Sequence, residues 1–116
     1  MLNIDQLMEE FVETVIKRGY ELEEGDVKKA NRLFDKIKSL VTKIKKLENY
    51  PEKMKELLHH ENDHVKLKAA FELLPVYTEE AENVLFILSQ KRSLVGMDAE
   101  LTLEEWEKGN LHKDKN

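Results

Sequence analysis

From Asn3 to Glu48 the apolar residues recur every three or four positions, and the pattern is interrupted once, at Gly25-Asp26. The first run is Ile4, Leu7, Met8, Phe11, Val12, Val15, Ile16 and Tyr20. The second is Ala30, Leu33, Phe34, Ile37, Leu40, Val41, Ile44 and Leu47. Such spacing places apolar side chains along one stripe of a helix and leaves the rest to solvent. The spacing predicts helices over 3–24 and 26–48, each about 30 Å long. Asn3 is a suitable N-cap, with Gln6 three residues on as in a capping box. Gly25 suits a helix stop and Asp26 a new start. So short a junction predicts an antiparallel hairpin over 3–48.

The remainder reads as shorter helices. Pro51 fits a first turn, with Met54, Leu57 and Leu58 on the apolar side. His59-His60-Glu61-Asn62-Asp63 is a polar interruption that holds a cap. The next helix carries Val65, Leu67, Ala69, Ala70, Leu73 and Leu74, and Pro75 ends it. Thr78 is expected to cap a helix bearing Ala81, Val84, Leu85, Ile87 and Leu88. After Ser93 the chain reads as irregular through Gly96. Thr102-Leu103-Glu104-Glu105 reads as a capping box before a final helix over 102–108 that carries Trp106. Only two prolines and four glycines interrupt the 116 residues, which favours helices over many short strands. The fold expected is all-α, an α-α superhelix of helical hairpins in a single domain over 1–109. The long hairpin is followed by helices over 51–91 and by the capping helix, and a flexible tail covers 110–116.

The stretch from Met54 through Leu57-Leu58, the polar turn and Val65 to Ala69-Ala70 resembles a HEAT or armadillo-type repeat. In such repeats a helix ending in paired leucines turns into a second helix with a small-residue pair. Residues 3–112 are also similar to a bacterial family known as domain of unknown function two thousand and nineteen. The long hairpin, the Gly25-Asp26 junction and the ending from Gly96-Met97-Asp98-Ala99 to Glu105-Trp106-Glu107-Lys108-Gly109 carry that likeness. It implies an armadillo-like helical fold and brings no catalytic residues with it.

Charge is unevenly distributed. The formal net charge is −5. Residues 1–25 hold seven acids and two bases, whereas 26–56 hold five acids and ten bases. An acidic first helix is therefore expected beside a basic second one. The chain has no cysteine, which removes disulfides, thiol catalysis and cysteine-ligated zinc. No run approaches the ~18 apolar residues of a membrane span. No basic segment leads into an apolar run at the start, so a cytoplasmic location without membrane contact is expected.

The sharpest catalytic motif is His60-Glu61-Asn62-Asp63-His64, which matches the His-Glu-x-x-His pattern of zinc peptidases. That chemistry needs two histidines one helical turn apart, with the glutamate activating water. Asn62 and Asp63 are cap and turn formers in the middle of the motif, which argues against a continuous helix. Glu72, Glu79, Glu80 and Glu82 are all possible third ligands, and none stands out. A polar turn without metal is the preferred reading, with a hydrolase using His60, Glu61 and His64 as the alternative. Lys28, Lys29, Arg32, Lys36, Lys38, Lys43, Lys45 and Lys46 form a basic run that could track phosphates. The acids Glu9, Glu10 and Glu13 of the first helix are expected to neutralise part of it, so anion or nucleic-acid binding through 26–48 is a further alternative.

The last third is acidic, with Glu79, Glu80, Glu82, Asp98, Glu100, Glu104, Glu105 and Glu107. Glu79, Glu80 and Glu82 favour the positive end of a helix dipole. Glu100, Glu104 and Glu107 are the candidate partner-binding residues, suited to steering a basic protein. Tyr50, Tyr77 and Trp106 are possible interface anchors, and Trp106 is the better core plug. The function expected is a small non-catalytic protein-binding module with no cofactor and no small-molecule substrate. An immunity-type protein that covers a toxin is one concrete form, by association with small acidic helical bacterial proteins.

Overall fold

The computed structural model describes residues 3–112, and every regular element among them is helical. The elements are α1 (Ile4–Glu24), α2 (Val27–Lys45), α3 (Tyr50–Glu56), a single 3₁₀ turn (Leu57–His59), α4 (Asp63–Leu73), α5 (Thr78–Ser89) and α6 (Leu94–Glu107). The chain is all-α and built from helical hairpins. Its contacts group the residues into two compact units, 1–57 and 58–116. The two helices expected to form a HEAT-type repeat, α3 and α4, belong to different units.

In the first unit α1 and α2 form the expected hairpin. Asn3 Oδ1 accepts from the Gln6 amide at 2.9 Å, and the Gln6 side chain accepts from the Asn3 amide at 3.1 Å, which completes the capping box. Gly25 ends α1 with φ of 82°, a left-handed conformation that glycine adopts without a Cβ penalty. Asp26 then caps α2 by accepting from the Lys29 amide at 3.1 Å. The core includes Leu7, Met8, Phe11 and Val15 from α1 and Ala30, Ile37, Leu40, Val41 and Ile44 from α2. Each fully buried Phe or Ile contributes roughly 1.5–3 kcal/mol. Ile16 and Tyr20 were expected in this stripe, yet they are 37% and 62% exposed. The buried line of α1 runs instead through Thr14, Val15 and Gly19. Tyr50 and Met54 of α3 are buried, so Tyr50 is a core residue and no anchor for a partner.

In the second unit α4 packs on α5 and α6, and α5 pairs with α6. Val65, Ala69, Ala70, Leu73 and Leu74 are buried with Ala81, Leu85 and Leu88 of α5 and Val95 and Ala99 of α6. Three expectations fail here. Thr78 is not an N-cap: Tyr77 precedes α5 without a side-chain cap, and the Thr78 hydroxyl donates to the Leu74 carbonyl at 2.6 Å. The segment 94–96 is not irregular but forms the first turn of α6, which Ser93 caps by accepting from the Gly96 amide at 3.0 Å. The final helix therefore begins at Leu94, not at 102. Thr102 sits inside it, buried, with its hydroxyl donating to the Asp98 carbonyl at 2.7 Å.

Gly96 is helical for a packing reason. A Cβ there would collide with the backbone carbonyl of Lys91 and stand 3.2 Å from the Leu88 carbonyl oxygen. Only glycine lets the first turn of α6 come this close to the end of α5.

The expected tail is docked at its start. Asn110 donates its side-chain amide to Glu105 at 2.8 Å, and its backbone N–H bonds the Glu105 carbonyl. His112 Nε2 donates to the Phe71 carbonyl at 2.9 Å, with ring centroids 4.8 Å apart. The tail residues 113–116 lie outside the described residues.

Candidate functional site

α6 carries its core residues Val95, Ala99 and Thr102 on one side. At about 100° per residue, Leu94, Met97 and Leu101 fall within an arc of about 60° on the far side. They are 45%, 64% and 58% exposed. Glu100, Glu104 and Glu107 line one flank of this ridge, and Asp98 and Glu105 line the other. All are exposed except Glu105, which is half-buried. Glu105 is also the one whose charge is partly matched, by Lys108 at 3.8 Å. Glu100, Glu104 and Glu107 form no ion pair with a described residue.

The setting accentuates this face. Nine large apolar side chains are exposed among the described residues, and six of them (Val76, Phe86, Ile87, Leu94, Met97 and Leu101) belong to the second unit. That unit also holds the whole net charge. Residues 58–116 contain twelve acids and seven bases, while 1–57 contain twelve of each. Exposed apolar residues and unneutralised acids thus coincide on α6, where they are spread along a single helix surface.

Behind the ridge the helix is fixed firmly. Trp106 is half-buried, and its Nε1–H donates to Glu82 Oε2 at 2.9 Å. The His112 ring meets it edge-on at 6.3 Å. Trp106 therefore works as a polar-tipped brace between α5 and α6 and does not stand out as an anchor. Glu72, once a possible metal ligand, is buried in α4 and paired with Lys68 at 3.1 Å. The Lys68 ammonium also lies 4.8 Å from the Phe71 ring centre.

The His60-Glu61-x-x-His64 motif is not helical throughout. His60 precedes α4, and its Nδ1 accepts from the Asn62 amide at 3.0 Å. Asn62 then caps α4 by accepting from the Val65 amide at 3.1 Å. Of His60, Glu61 and His64, only His64 lies within the helix, so the one-turn relation that a zincin site requires is broken. Among the described residues no group of three His, Asp or Glu is placed to hold a metal ion. Asp63 opens α4 between Lys91 at 2.7 Å and Lys66 at 3.4 Å. Burial pushes its carboxyl up, but the hydrogen bonds and charges of the two lysines outweigh that and hold it below the ordinary 3.8.

The basic run lies on α2 and its C-cap Lys46, with all of its members exposed except half-buried Lys45. Part of it is committed to neighbours. Lys36 pairs with Glu10 of α1 at 3.3 Å, Lys29 lies 4.0 Å from Asp26, and Lys38 sits 5.5 Å from the Phe34 ring centre. No helix among the described residues is long and apolar enough to cross a membrane.

The chain is similar in fold to the protein RPA1889 from Rhodopseudomonas palustris CGA009, a crystal structure. The two superpose with a TM-score of 0.86 at 20% identity, over 94% of this chain and 92% of the other. At that identity the likeness shows the fold alone. No family model matches the chain, and no curated protein matches it.

Sequence reasoning selected Glu100, Glu104 and Glu107, and the structure brings them onto one flank of one helix. It missed Met97 and Leu101. The signal was present: a helical wheel over 94–107 sets both opposite Val95, Ala99 and Thr102, but the wheel needs the correct helix start.

Proposed function

We propose that this protein is a small non-catalytic protein-binding module whose working surface is the outer face of α6. The observation that carries the reading is the coincidence on that face of Met97 and Leu101, each more than half exposed, with acids on both flanks. An apolar centre with a charged rim is the anatomy of a protein–protein interface. The apolar residues supply affinity when covered, and the acids steer an oppositely charged partner and set its register.

The test immobilises the wild-type protein and a Met97→Ser/Leu101→Ser variant and exposes both to a lysate of the native host. A Lys28→Glu/Arg32→Glu variant serves as the control on α2. The reading predicts a specific protein that is retained by the wild type and the α2 variant and lost by the α6 variant. Titration of that purified protein by calorimetry then confirms direct binding. Retention by the α6 variant, or loss by the α2 variant alone, would refute the assignment.

A further inference from the structure

The chemistry of the α6 face also constrains what can cover it. Every backbone donor in the middle of α6 is spent within the helix, so the face offers side chains only and cannot pair with an extended strand. Its apolar residues follow the 94, 97, 101 spacing of a single ridge, about 10 Å long at 1.5 Å per residue. Ridges of this kind pack against another helix that brings an apolar stripe of the same period. The acids lie on both flanks of the ridge, so a partner seated along it meets negative charge on either side of its own apolar stripe.

Resting on the reading of α6 as the binding surface, we infer that its occupant is a basic amphipathic helix, with apolar residues three and four apart and Lys or Arg beside them. Charge complementarity carries the choice. A second copy laid face to face would set five acids against five. A second copy presenting α2 would bring the right charge but no apolar ridge, because Val27 is the only large apolar residue exposed on that helix. An anionic lipid surface would be repelled by the same acids that attract a basic helix.

The probe is a synthetic eighteen-residue Leu/Lys peptide with leucines in the three-four spacing, labelled for fluorescence anisotropy. Two companions share its length: a scrambled order of the same residues, and a version with Glu in place of Lys. The amphipathic Leu/Lys peptide is expected to bind at least about tenfold more tightly than either companion. Met97→Ser/Leu101→Ser should weaken it by about tenfold or more with the melting temperature little changed. Glu100→Gln/Glu104→Gln/Glu107→Gln should weaken binding and flatten its salt dependence. Equal binding of the scrambled peptide, or full affinity of the Met97/Leu101 variant, would overturn the inference. So would a concentration-dependent dimer, seen in sedimentation and lost in that variant, because the occupant would then be a second copy. If the native partner is lost by the α6 variant while the Leu/Lys peptide does not bind, the surface stands and the basic-helix inference falls.

Discussion

Replacing Gly96 with alanine sets two well-measured effects against each other. In an exposed helix the change would stabilise, since alanine is the better helix former by about 0.5–1 kcal/mol. Here the new methyl would collide with the Lys91 carbonyl group and crowd the Leu88 carbonyl oxygen. Both are backbone atoms that cannot rotate aside, so the α5–α6 junction must shift. Overpacking of this kind typically costs about 1–3 kcal/mol. The packing term is the larger, and a net loss of about 1–2 kcal/mol follows. For a unit of about sixty residues that corresponds to a fall in Tm of roughly 8–16 °C. Thermal melting by circular dichroism, with urea unfolding as a second measure, reads the change directly. A Tm that rises in Gly96→Ala would mean that propensity wins, and the close approach of α6 to α5 would be wrong.

Three further outcomes follow from the same packing and charges. Ala69 and Ala70 are both fully buried in the helix that packs on α5 and α6, so Leu at either should destabilise by about 1–3 kcal/mol in denaturant melts, whereas Glu100→Lys should change stability by less than about 1 kcal/mol. Because the folded pKa of Asp63 is lowered, its contribution is present above the unfolded value of about 3.9 and is lost as pH falls through the folded value. Stability measured downward from pH 5 should therefore drop less steeply in Asp63→Asn than in the wild type. The basic helix α2 belongs to a unit with balanced charge, so fluorescence titration with duplex DNA or RNA at physiological salt should find only generic binding of about 10⁻⁴–10⁻⁶ M, and nanomolar affinity abolished by Lys28→Glu/Arg32→Glu would contradict this.

Much of the first unit was legible in the sequence because its signals are local. Asn3 with Gln6, and Asp26, accept from amides three residues away, Gly25 turns the chain left-handed at the end of α1, and each does in the structure what its type dictates. The turn at Asn62 was legible for the same reason. The second unit was harder because its decisive facts are not local. A glycine reads as a helix breaker until the neighbouring backbone that excludes a Cβ is known, and that contact hid the first eight residues of α6. Thr102 with Glu105 fits a capping box, but a threonine hydroxyl is equally satisfied by the carbonyl four residues back, as Thr102 and Thr78 both show. Ile87 fits the apolar period of α5 and is nevertheless 63% exposed. The acids of the outer α6 face were visible as composition, whereas its apolar ridge needed the right helix boundary.

As proposed, the outer face of α6 receives a partner. Amide shifts in a ¹⁵N correlation spectrum, recorded while the Leu/Lys amphipathic peptide is added at physiological salt, test it residue by residue. Saturable changes centred on Leu94, Met97, Asp98, Leu101 and Glu104 are expected, with α2 unmoved. Changes centred on Lys28, Arg32 and Lys36, or none at all on α6, would contradict it.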